Sequence, residues 1–133
     1  MAKKKVFISY DYGNDKHYKN LLIAWDANKD FDFYVYDQSV DVSVESTDAA
    51  AIKRVISARI NSATYFLCVI GKKTHKSKWV AWEIEKAVEL KKKIVAVKID
   101  STNESPEEII GVGATWAMSF TLQSITTAME NSA

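Results

Sequence analysis

The residues with the clearest chemical potential lie in Ser77-Lys78-Trp79-Val80-Ala81-Trp82-Glu83-Ile84-Glu85-Lys86-Ala87-Val88-Glu89-Leu90. Stepping about 100° per residue, a helix here carries Val80, Ile84, Ala87 and Val88 on one apolar stripe. Glu85 and Glu89 fall on the opposite, solvated face. Glu83 sits on the border of the stripe, one turn from Trp79 and close to Ala87 and Leu90. Such a carboxylate is partly desolvated, whereas a surface Glu would pair with Lys86 and do little. Spacing alone leaves both readings open. Trp79 can pack toward a sheet edge. Trp82 points away from the stripe, so it covers a neighbouring loop, forms a partner surface or flanks a flat ligand; packing is the plainer role for either ring.

A second group is Ser9-Tyr10-Asp11-Tyr12, which offers hydroxyls, a carboxylate and aromatic faces. The following Gly13 alone makes neither a phosphate-cradling loop nor a dinucleotide fingerprint. Asp37, followed by Gln38 and Ser39, has the chemistry to hold ribose hydroxyls or accept a phosphoryl group, with turn capping as the default. His17 and His75 have no evident Ser or Cys partner, so no triad is proposed. Cys68, inside an apolar run, reads as a small hydrophobe rather than a nucleophile.

These residues need a scaffold. Four β-rich apolar runs, Val6 to Tyr10, Phe31 to Tyr36, Tyr65 to Ile70 and Ile94 to Ile99, are each about strand length. Between them, residues 15–28, 47–61 and 77–91 show helical spacing, with Ser46 or Thr47 and then Ser77 as caps and a lysine run at the end of the third. Strict alternation predicts a parallel sheet covered by helices on both faces, a three-layer α/β sandwich. Beyond Asp100, a loop or short helix entry precedes a fifth, edge strand at Trp116 to Phe120 and a final helix at Leu122 to Met129. Ligands of such sheets sit beyond the strand carboxyl ends. That rule selects residues 9–13, 37–39, 71–78 and 100–102.

Composition narrows the function classes. The 133 residues suit a single domain, 1–133, and 47% hydrophobic with 26% charged residues is ordinary globular usage. A net charge of +1 gives no electrostatic reason to bind nucleic acid or acidic lipid. One Cys and two His cannot build a closed zinc site or an internal disulfide. No apolar run approaches the roughly 18 residues of a membrane helix, and no signal-peptide core follows the basic start. The expectation is a soluble, cytoplasmic domain without nucleic-acid or membrane partners.

Val6-Phe7-Ile8-Ser9-Tyr10 with its polar loop resembles the first strand of Toll/interleukin-1 receptor (TIR) domains. Trp79-Val80-Ala81-Trp82-Glu83-Ile84 looks like their Trp-Cys-x-x-Glu helix motif, with Val in place of Cys. Together with Asp37-Gln38-Ser39 and Asp48 to Ile60, the pattern is similar to bacterial TIR-like proteins of the Thoeris antiphage system. The resemblance covers about residues 4–100. It implies a flavodoxin-like, TIR-like sandwich with a central parallel sheet of about five strands. It also implies cleavage of the nicotinamide–ribose bond of NAD, giving a cyclic or conjugated ADP-ribose signal for a downstream effector protein. NAD is then a substrate, with no resident cofactor or metal. The motif Glu maps onto Glu83 as the catalytic carboxylate. Ser9, Tyr10 and Asp11 would line the nicotinamide–ribose side, Asp37, Gln38 and Ser39 would meet ribose or phosphates, and Trp79 and Trp82 would wall the pocket. A phage-derived trigger and a homo-oligomer are further expectations of the resemblance.

Other classes compete. A non-catalytic TIR-like scaffold would assemble through Trp82 and the Val40 to Val44 stretch. A nucleoside deoxyribosyltransferase also sets a Glu against a ribose carbon. A phospho-receiver fits worst, because its acceptor Asp should follow the third strand, where this chain has Gly71-Lys72-Lys73.

Overall fold

A computed structural model describes residues 4–26, 31–34 and 43–132. Five strands, β1 (Lys4–Ser9), β2 (Phe31–Tyr34), β3 (Tyr65–Ile70), β4 (Lys93–Lys98) and β5 (Thr115–Ala117), form one parallel sheet in the order β2-β1-β3-β4-β5. Among the described residues four α-helices connect and cover them: α1 (Lys16–Trp25), α2 (Ala49–Ser62), α3 (Lys78–Glu89) and α4 (Leu122–Asn131). The sequence alternation therefore translates directly into crossover units.

The sheet is buried on both faces, and the period of two along each strand sorts its side chains into two cores. Phe7, Phe66, Cys68 and Ile70 pack with Ile56 and Ile60 of α2 and Val80, Ile84 and Ala87 of α3. Val6, Ile8, Leu67 and Val69 pack with Leu22 of α1 and Ile125, Ala128 and Met129 of α4. Strand β3, continuously apolar in sequence, needs both faces dry because it is the central strand.

Element ends follow local chemistry. Ser77 caps α3, its hydroxyl accepting from the Val80 amide at 3.2 Å. Thr121 does the same for α4 through the Ser124 amide at 3.1 Å. The expected Ser or Thr cap of α2 is replaced: Asp48 occupies the cap position without a side-chain cap bond, and the Ser46 hydroxyl accepts from the Asp48 amide at 3.1 Å. The Ser46 hydroxyl thus closes a local turn ahead of the helix instead of capping it. Helix α3 stops at Glu89, and Lys91 turns the chain with φ of 58°. The fifth strand is shorter than the Trp116 to Phe120 run and begins at Thr115.

Candidate active site

The site grows from the carboxyl end of β1. Period-two alternation sends Phe7 and Ser9 toward the α2–α3 layer, and Ser9 stands in register with Cys68 of β3. Helix α3 crosses that same layer. Because its cap fixes the start at Ser77, Glu83 arrives about one and two-thirds turns later, within reach of Ser9. The Ser9 hydroxyl donates to Glu83 Oε1 at 2.7 Å, and both residues are buried, Glu83 only 5% exposed.

This placement settles the two readings of Glu83 that spacing left open. The inward face of α3 is Val80, Glu83, Ile84 and Ala87, while Val88 is 39% exposed. Val88 was expected on the buried stripe. The helix is instead rotated so that Glu83 faces inward, its carboxylate satisfied by Ser9. Lys86 does not pair with Glu83; its ammonium meets Glu89 at 2.9 Å.

Electrostatics follow from burial. Removal from water pushes the Glu83 carboxyl up to about 8, with the Ser9 hydrogen bond pulling the other way. The Cys68 thiol is also pushed up, by burial first and then by the Glu83 carboxylate. A thiol held neutral in this way is packing, as its place in an apolar run suggested.

The structure gathers some of the other expected residues and separates others. Trp79 and Trp82 meet edge to face, with ring centroids 6.0 Å apart. Trp82 is half-buried between helices, with Lys53 of α2 and Lys86 near its ring at 5.7 and 5.8 Å. Tyr10 lies on the opposite side of the sheet from Ser9, buried among Ile8 and Leu22. Asp11 organises the loop after β1: its carbonyl accepts from the Asn14 and Asp15 amides, and its carboxylate accepts from the Asn14 side chain at 2.7 Å. Asp37, Gln38 and Ser39 lie outside the described residues. Among the described residues no cluster of His, Cys, Asp or Glu has the makings of a metal site.

Sequence reasoning missed Asp15. It was read only as the first residue of a helical segment, yet its carboxyl is buried against Gly71 and Thr74 of the loop after β3. The available signal was its cap position at the carboxyl end of the first strand, where loop segments converge.

A parallel sheet in this order, with helices on both faces and a buried helix carboxylate meeting the end of its first strand, makes a doubly wound α/β domain. Over residues 7–104 the chain matches the family described as "Thoeris protein ThsB, TIR-like domain", and it belongs to that family. A protein of Bacillus cereus (strain MSX-D12), provisionally named cyclic ADP-D-ribose synthase ThsB1, is 31% identical over 67 residues, half of this chain. That stretch spans only 35% of the Bacillus protein. Among solved structures, the TIR domains of the activated Roq1 resistosome superpose with a TM-score of 0.50 at 18% identity, over 75% of this chain and 61% of theirs. The 2-deoxyribosyltransferase of Bacillus psychrosaccharolyticus superposes at 0.62 and 16% identity, over 96% of this chain and 90% of its own. The Leishmania mexicana enzyme of that type reaches 0.64 at 12%, over 96% and 99%. At these identities the likeness is one of fold.

Proposed function

We propose that this domain consumes NAD by breaking the nicotinamide–ribose bond, with Glu83 as the catalytic carboxylate, and releases a cyclic or conjugated ADP-ribose signal in antiphage defence. The observation that carries the reading is the buried Ser9–Glu83 pair at the carboxyl edge of the sheet. Family membership and the name of the Bacillus protein support the NAD chemistry.

The reaction suits a single carboxylate. Nicotinamide is bound to ribose as a cationic N-glycoside, so the C–N electron pair leaves with a neutral base and no general acid is needed. What remains is an oxocarbenium-like ribose, which a nearby negative charge stabilises strongly where water is excluded. Water, or a nucleophile on the same or another molecule, then bonds to the anomeric carbon and loses a proton. Burial discourages the ionised carboxylate in the free protein, and the cationic glycoside is the counter-charge that favours it. Ser9 positions Glu83 and favours its charged form. Trp79 and Trp82 supply the aromatic wall, and Asp37, Gln38 and Ser39 meet the ribose or phosphates. NAD serves as substrate with no resident cofactor, the product acts on a partner effector, and a phage component or self-assembly turns the enzyme on.

The test is mass spectrometry of NAD incubated with the purified protein, alone and in lysate from phage-infected cells, beside Glu83→Gln. Nicotinamide with a new ADP-ribose species is expected from the parent and at least 100-fold less from the variant. Equal turnover by Glu83→Gln overturns the catalytic assignment. Intact NAD throughout, together with strong self-association, favours the scaffold.

A further inference from the structure

On the other face of the sheet from Glu83, a cavity of about 520 Å³ opens at the carboxyl ends of β1, β3 and β4. It lies where α1 leaves β1 for one face and α3 leaves β3 for the other, the switch point at which doubly wound sheets take ligands. Its volume is that of a small-molecule site.

The floor is Asp15, 5% exposed. At the head of a helix an Asp ordinarily turns its carboxylate onto the first amides, but Asp15 makes no such cap bond. Its side chain is diverted to Thr74, whose hydroxyl donates to Oδ2 at 3.1 Å and accepts from the Gly71 amide at 2.8 Å. Oδ1 accepts no hydrogen bond among the described residues. Gly71 passes so close that a Cβ would collide with the carboxyl group, so backbone and side chain are fitted to hold Asp15 in place. Burial pushes this carboxyl above its ordinary range. Oδ1 is not sealed from solvent, so it stays free to accept from a donor placed in the cavity.

The remaining walls say what that is. Tyr18 and Ile99 offer an aromatic and an aliphatic side, Lys72 and Lys73 are exposed on the rim, and Asp100 lies beside Lys72. A flat heterocycle with N–H donors on its edge fits Tyr18 and Asp15, sugar hydroxyls fit Asp100, and an anion fits the two lysines. We propose that this cavity binds a purine nucleotide, base edge on Asp15 and phosphate on Lys72 and Lys73. The site is separate from Glu83 and stands independently of the role given to that residue.

Titration calorimetry with AMP and GMP, each against its nucleoside, tests it. At least one nucleotide is expected to bind with a sub-millimolar Kd, at least tenfold tighter than its nucleoside. The Lys72→Ala/Lys73→Ala double variant, altered only at exposed positions, is expected to lose at least tenfold, as is Asp15→Asn. Glu83→Gln should bind like the parent. No binding of either nucleotide at several millimolar overturns the proposal. So does affinity that survives the lysine replacements, or that falls in Glu83→Gln instead; the latter would put the nucleotide at the other site.

Discussion

A carboxyl group with a pKa of about 8 is mostly protonated at neutral pH, and the reaction proposed for Glu83 needs it ionised. The pH dependence of kcat/KM, which reports the free enzyme, should therefore rise through the neutral range and level off above about 8. Ser9→Ala removes the hydrogen bond that favours the charged form. The rising limb should move alkaline by about one unit, leaving the variant roughly tenfold slower at pH 7 and close to the parent at pH 9.5. A uniform loss at every pH would mean that Ser9 shapes the site without tuning Glu83. Spacing could bring Glu83 only to the border of the apolar stripe, because its partner is 74 residues away in sequence. Helical periodicity describes an isolated helix, whereas the final rotation of α3 depends on what the sheet presents to it. That is why Val88 and Glu83 exchanged places relative to expectation. The diversion of the Asp15 side chain was hidden for the same reason, since Thr74, which holds it, lies 59 residues away in sequence.

At the scale of elements, the β-rich apolar runs and the Ser77 cap were readable because their causes are local. Helix ends governed by competition between neighbours were less so, as the Ser46–Asp48 turn shows. The C-terminus of α3 gives a further case. The lysine run suited a helix end on charge, but it hid a left-handed residue: Lys91 has φ of 58° and is exposed, with the Lys91 and Lys92 amides bonding back to the Val88 and Ala87 carbonyls. That position of a helix terminus favours glycine, since a Cβ there crowds the following carbonyl. Lys91→Gly should stabilise the domain by about 0.5–1 kcal/mol despite the greater freedom of glycine in the unfolded chain. Urea denaturation measures it, and a loss of stability would show that the lysine side chain or its charge outweighs the relief.

The whole molecule links these scales, because a group buried at the sheet edge makes global stability depend on pH. Glu83 titrates at about 8 in the folded chain against an ordinary 4.5, so between those values the folded protein holds a proton that the unfolded chain has released. Stability from this group is thus full at low pH and declines as pH rises toward 8. Asp15, raised in the same direction, adds to the trend, so the parent alone does not isolate Glu83. Comparison with Glu83→Gln does, because Asp15 is common to both and the amide cannot ionise. Relative to the parent, the variant should gain about 2–4 kcal/mol between pH 5 and pH 8.5, read from urea midpoints at constant m. A difference independent of pH would mean that water reaches the carboxyl and that burial does not tune it. A growing difference would show that the fold tolerates a standing cost at this position. Such a cost makes sense if an arriving cation relieves it, which ties the stability of the sheet edge to the chemistry proposed there.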